Sequence, residues 1–399
     1  MFGDIAVIGA GPAGSRLSCL LSKHGLPVTL YESKPATKEK PCAGGLTHKV
    51  FAGTSIPQDL PFPVRPITRS RVISWDDTYV DVTLQKQVTV VARSDLDRHL
   101  LEKSLGAGTR FINKRVRSLE GGHNRWALST RGTCEQYDLV VGADGINSLV
   151  RKRLSRKLAP HEYYKVCGYF VKGLAENGIV IKFFRGLEGY AWVFPGPRHA
   201  SVGICGSGHK HGISYLRTEL HRFMASHYSG HQLKDKDPFA WLIPSMGKVD
   251  FSSLKVAGQS WALVGDAAGL ADPITGEGIY YAIRSSEILA RCILANTMDI
   301  YPGEIHRELG RNLTRAASLK EMFFSPAFVE NTVLLAKGSP AIRNLVSDLY
   351  SGAQDYISLE RRLVRCILPC VKDMFSPKKL QHLGRALLNM GQIVPKYMK

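Results

Sequence analysis

Three glycines and one acid are the first residues in this chain whose spacing could do chemistry. In DIAVIGAGPAGSRLSCLLSKHGLPVTLYES, Gly9, Gly11 and Gly14 stand in the order GxGxxG, with Ala13 between the last two, and Glu32 closes the next apolar run. The first glycine permits a tight turn, the second lets the backbone approach a pyrophosphate, and the third lets a helix pack on a strand. The phosphates would meet free N–H groups at the helix N-terminus, and a carboxylate at Glu32 would accept hydrogen bonds from a ribose. That acid suits FAD and NAD alike and suits NADP poorly. Further along, Asp144-Gly145 and Gly265-Asp266 each follow a short apolar run and precede a helical pattern. An aspartate at the carboxyl end of a strand can hold a hydroxylated chain. A helix starting near Gly278 can aim its N–H groups at an electron-rich ring edge.

These segments in this order resemble the glutathione-reductase-type FAD fold shared by aromatic hydroxylases, flavin halogenases and geranylgeranyl reductases. The resemblance spans about residues 1 to 290. It implies FAD as cofactor, with Asp266 on the ribityl chain and Gly278 and Ile279 near the isoalloxazine. KPCAGGLTHK, residues 40 to 49, resembles the Pro-Cys-Gly-Gly element of the geranylgeranyl reductase branch. Cys42, Ala43 and Gly45 then belong to the flavin surround, with Ala43 where many members have glycine. In YAWVFPGPRHASVGICG, Tyr190, Trp192, Phe194, Pro195 and Gly203 match that branch's substrate signature, while Cys205 departs from its last glycine. Arg93 matches the family arginine that approaches FAD from outside the glycine motif, and Val116, in an expected strand, is placed beside the adenine.

Alternating rings at 190, 192 and 194 would present a dry apolar wall suited to an isoprenoid chain; buried packing in an antiparallel sheet is the plainer reading of any one of them. Cys42 could deliver a proton to an alkene carbon, or be an inert small hydrophobe. Gly206, Gly208 and Gly212 imitate a second dinucleotide motif, but the spacing is GxGxxxG with no βαβ unit after it. A loop at a domain edge is expected there, and NAD(P)H or another external donor would reach the flavin only transiently.

The fold implied is α/β: a discontinuous Rossmann-like FAD-binding domain from residues 1–68, 92–160 and 251–300. An antiparallel-sheet substrate domain takes 69–91 and 161–250, and a helical region follows from 301 to 399. Ser94 and Asp97 read as a capping box opening a helix near Asp95. Helices are expected at Pro302 to Phe323 and Leu359 to Phe375.

The 399 residues suffice for a large core, and the net charge of +19 favours anionic partners. The cysteines show no CxxC or Cys/His ligand spacing, so no metal is expected; Cys366 and Cys370 could share a helix face. Without a signal peptide or a span of roughly 20 apolar residues, the sequence fits a reducing cytoplasmic setting. The C-terminal bases Arg361, Arg362, Arg365, Lys372, Lys378 and Lys379 suit a helix lying on an anionic membrane, or equally a solvated face. The expected activity is flavin-dependent hydrogenation of C=C bonds in a polyprenyl lipid, quinone or pigment precursor. The alternatives are a monooxygenase of the same fold and a basic binding module with a vestigial flavin site. The intact Gly9, Glu32 and Asp266 set argues against that module and against nucleic acid as partner.

Overall fold

A computed structural model describes residues 2–34, 39–123, 125–229, 235–248 and 251–374, with side chains of the last helix as far as Cys366. Ile5–Ile8 and Val28–Tyr31 are short, fully buried strands that pair in parallel across the helix Pro12–Lys23. Burial on both faces explains why their sequences run apolar without alternation. They lie in a six-stranded sheet ordered Ala257–Gly258, Trp261–Leu263, Leu139–Gly142, Ile5–Ile8, Val28–Tyr31, Arg110–Ile112. All its pairings are parallel except the first. The parallel arrangement sets the ends of four strands side by side. The glycine turn, Glu32, Asp144 and Asp266 therefore emerge at one carboxyl edge.

Gly9 has a φ of +106°, in the region that favours glycine. Gly14 faces the Gly9 carbonyl so closely that an added Cβ would collide with it.

The second sheet has eight strands, in the order Lys236–Pro244, Tyr163–Val171, Ala200–Ser207, Gly189–Pro195, Ile179–Phe183, Val64–Ile73, Tyr79–Val91, Gly45–Leu46. It is antiparallel except where Ile179–Phe183 runs beside Val64–Ile73. The expected boundary at residue 69 falls inside a strand, and Gly45–Leu46 also joins this sheet. Pro66 lies within the strand Val64–Ile73, where a proline lacks the N–H that a ladder bond needs. Yet Ile179–Lys182 pairs only with Ser70–Ile73, so the chain ahead of Ser70 has a free edge where proline costs no ladder bond. One face of this sheet is covered by the helix Ile213–His227 through Leu216, Leu220, Phe223 and Met224. The GxGxxxG stretch forms the end of strand Ala200–Ser207 and the loop into this helix.

The other face looks inward and packs with the C-terminal helices Arg311–Phe323, Pro326–Gly338 and Pro340–Tyr350. The expected helix from Pro302 is continuous, with a π turn at His306–Gly310, and Leu359–Met374 is helical. Arg93–Gly106 is also helical, but no capping box forms. The Ser94 hydroxyl instead donates to Glu39 at 2.6 Å, and Asp97 takes Arg93 and Lys40. No described helix is long and apolar enough to cross a membrane, and the described residues hold no cluster of metal-ligating side chains.

Gly14→Ala should therefore destabilise the chain by about 3 kcal/mol, the upper end of overpacking costs, and lower FAD content. Denaturant unfolding and the flavin-to-protein absorbance ratio measure both.

Candidate functional site

The carboxyl edge of the parallel sheet opens into a cavity of about 1970 Å³, which continues between the second sheet and the C-terminal helices. That exceeds the roughly 300–1,000 Å³ of a site for one drug-sized ligand. Gly9, Gly11, Ala13, Glu32, Asp144 and Asp266 line the cavity from the parallel sheet; Tyr190, Trp192 and Phe194 line it from the second sheet, with Cys42, Ala43, Gly45, Gly278 and Ile279 also in its wall.

Several features on the side of the parallel sheet fit a dinucleotide. A Cβ built on Gly11 meets nothing within 4 Å, so the backbone there is open to a phosphate. Gly278 caps the helix Ile279–Leu294, whose first N–H groups have no side-chain cap. Glu32 is anchored through Oε2 to the Ala10 amide at 3.0 Å, and through Oε1 to the amides of Ser33 and Lys34. These bonds fix its carboxylate across the glycine turn. The Asp266 carboxyl is pushed up to about 6 by burial, against the pull of Arg93 and Arg151. A buried carboxylate of this kind is matched by a ligand rich in hydroxyl donors, as a ribityl chain is.

Arg151 was not singled out from the sequence. It is buried and donates to the carbonyls of Asp266 and Ala267, both at 3.1 Å, and to that of Ile146. One guanidinium thus ties the Asp144 segment to the Asp266 segment. In the sequence it is simply one base of LVRKRL.

Other expected residues stand differently from their reading. Arg93 reaches the cavity, but its guanidinium is bidentate on Asp97, at 3.0 and 3.2 Å. Its pKa rises despite burial because of Asp97 and then Cys42. Val116 lines the cavity from the loop between strands Arg110–Ile112 and Ser118–Gly122, not from a strand. Cys42 is half-buried and its Sγ accepts from the Gly44 amide at 3.3 Å. Gly44, with φ +74° and the Val91 carbonyl against it, is the position that demands glycine, which is why alanine is accommodated at 43.

In the ring wall, Tyr190, Trp192 and Phe194 share the inward face of their strand, while Ala191 and Val193 face the opposite core. Pro195 and Gly203 are not among the lining residues. Gly203 pairs with Trp192 across the strands, and the indole lies where its Cβ would be. Its absent side chain makes room for tryptophan rather than for a ligand. Cys205 does line the cavity, and burial raises its thiol to about 12. Further wall comes from other strands of the second sheet, including Val72, Ile179 and Ile181, and from the C-terminal region, including Phe323, Phe324, Phe328 and Leu345. Of the basic residues that suit either an anionic membrane or a solvated face, Arg362 donates to Asp348 and Gln354; Lys372, Lys378 and Lys379, like Cys370, lie outside the described side chains.

Residues 3–170 match the family model of the FAD binding domain. A digeranylgeranylglycerophospholipid reductase of Methanosphaera stadtmanae is 27% identical over 81% of this chain and 87% of its own. The crystal structure of a geranylgeranyl bacteriochlorophyll reductase-like protein from Thermoplasma acidophilum superposes with a TM-score of 0.72 at 23% identity, covering 92% of this chain and 99% of that one. A flavin-dependent brominase superposes at 0.68 with 18% identity over 91% and 98%. Both superpositions establish a common fold.

The Asp266 carboxyl binds its proton more tightly folded than at its usual 3.8. Its contribution to FAD-free stability is therefore full below about pH 4 and lost as pH rises through about 6. Asp266→Asn should gain stability over the FAD-free wild type across that window while binding FAD more weakly. Denaturant unfolding at pH 4 and pH 7.5, with a flavin titration, checks both signs.

Proposed function

We propose that this FAD-dependent oxidoreductase, similar to the geranylgeranyl reductases, hydrogenates carbon–carbon double bonds of a polyprenyl chain. The chain would be carried on a lipid, quinone or pigment precursor. The observation that supports this reading is the continuity of one cavity from the FAD-binding edge to a wall of aromatic and aliphatic side chains. A long apolar substrate gains from such a wall in proportion to the area it removes from water.

The residues that would hold FAD would give the site, with NAD(P)H or another external donor as reductant, the hydride chemistry that hydrogenation of an alkene needs. The protein's share is position, dryness and a proton. Tyr190, Trp192 and Phe194 hold the chain with rigid rings that lose little entropy, and exclude water from the reacting carbons. The Tyr190 hydroxyl is already donated to the Thr275 carbonyl, so the ring is the part offered to substrate. Cys42, fixed by the Gly44 amide and opening on the same cavity, gives the proton to the second carbon. Gly9, Gly11, Gly14, Glu32, Asp266, Gly278 and Ile279 hold the cofactor, and Arg93 and Val116 flank it. Supply of substrate from an anionic membrane surface fits the chain's net charge of +19.

A monooxygenase of the same fold is the second reading, since solved structures of this fold include a probable FAD-dependent monooxygenase from Pseudomonas aeruginosa. The two part in their use of oxygen. Anaerobic, photoreduced protein mixed with a geranylgeranyl lipid should become oxidised and yield products heavier by the mass of added hydrogen. Cys42→Ser should slow this step by about 100-fold, the lower range for loss of a general acid, with FAD content unchanged. Substrate-stimulated, oxygen-dependent NAD(P)H consumption without a saturated product would establish the monooxygenase instead.

A further inference from the structure

We propose that Tyr356, in the link between helices Pro340–Tyr350 and Leu359–Met374, is a positioning residue that sets the reduction potential of the flavin through Asp272. Asp272 opens the loop 272–277 that leads to Gly278 and the helix Ile279–Leu294. This loop is tethered from several directions. The Pro273 carbonyl accepts from the hydroxyls of Tyr164 and Ser245, at 3.2 and 2.9 Å. The Thr275 carbonyl accepts from Tyr190, and Glu277 binds Thr47 at 2.5 Å and pairs with Lys49.

Asp272 organises the loop from within. Its Oδ1 accepts from the amides of Ile274 and Thr275, at 2.9 and 3.0 Å. Its own amide donates to the Glu277 carbonyl and its carbonyl accepts from Gly276, both at 2.9 Å. The third donor to the same Oδ1 is the Tyr356 hydroxyl, at 3.2 Å across 84 residues of sequence. Both partners are buried, Asp272 at 2% and Tyr356 at 5% exposure. Tyr356 is itself fixed: its amide donates to Asn312 Oδ1 at 2.7 Å, and its ring meets Phe323 edge-on with centroids 6.0 Å apart. Burial first, and then Asp272, hold the phenol far above its usual pKa, so it stays a donor.

Reduction adds negative charge to a flavin, and donors at a helix N-terminus favour that charge only while they are held in place. A buried carboxylate at the same helix end opposes it. The Tyr356 hydrogen bond serves both needs, tethering the loop and drawing charge away from Oδ1. Removing the hydroxyl therefore disfavours the reduced flavin on both counts. The inference rests on FAD being bound and not on what the second substrate is.

The test uses holoenzyme with Tyr356→Phe, which keeps the packed ring. Spectroelectrochemical titration should show a tenfold loss in preference for reduced over oxidised FAD, about 30 mV lower in midpoint potential for the two-electron couple. In FAD-free protein, amide exchange at Ile274 and Thr275 should quicken at least tenfold. In an Asp272→Ala background, which removes the acceptor, the same Tyr356→Phe change should move the potential less than threefold in equilibrium terms. An unchanged potential, or a full shift in the Asp272→Ala background, would overturn the proposal. Should Tyr356→Phe fail to retain FAD, the exchange rates decide: wild-type rates overturn it and faster ones sustain it.

Discussion

The site depends on parallel pairing of four short buried strands. Because Ile5–Ile8, Val28–Tyr31, Leu139–Gly142 and Trp261–Leu263 run the same way, the glycine turn, Glu32, Asp144 and Asp266 all leave the sheet at one edge. Four segments distant in sequence then face one volume. An open backbone at Gly11, a carboxylate fixed across the glycine turn and a buried carboxyl that suits hydroxyl donors come together without any one of them being unusual alone. Arg151 secures the junction by bonding the Asp266 and Ala267 carbonyls from the helix that follows Asp144.

The second sheet and the C-terminal helices extend that edge into a deep space lined largely by apolar side chains. The sheet offers its ring-bearing face, and the helices Pro326–Gly338 and Pro340–Tyr350 close the opposite side. Three of the tyrosines in this region spend their hydroxyls on the protein itself. Tyr164, Tyr190 and Tyr356 all direct their hydroxyls at the loop 272–277. A space so lined offers apolar surface to a ligand and leaves the hydroxylated cofactor to the opposite end.

Legibility in the sequence followed the range of the interaction. The GxGxxG turn with Glu32, and Asp266 after its strand, could be read because glycine and acid at strand ends are demanded locally. Ring alternation at 190, 192 and 194 gave the inward face for the same reason, since a strand's period is two. Readings that needed a partner were less secure. Gly203 looked like a ligand contact, but it makes room for Trp192 from a neighbouring strand. Ser94 looked like a cap until Glu39, from a separate segment, took its hydroxyl. Arg151, Lys49 and Tyr356 carry no local signature at all, because their meaning lies in contacts across 115 residues for Arg151–Asp266 and 84 for Tyr356–Asp272. The C-terminal helices were legible from their period, but not that Phe323, Phe324 and Phe328 would line the cavity, because that depends on a sheet distant in sequence.

The central claim is that one cavity holds FAD at one end and an isoprenoid chain at the other. The most direct measurement is native mass spectrometry of the purified holoprotein titrated with a geranylgeranyl lipid, compared with a Trp192→Arg variant that places a charge in the ring wall. The account predicts one FAD and one lipid bound together to the wild type, and FAD alone to the variant. Lipid binding equal in both, or lipid that displaces FAD, would contradict it.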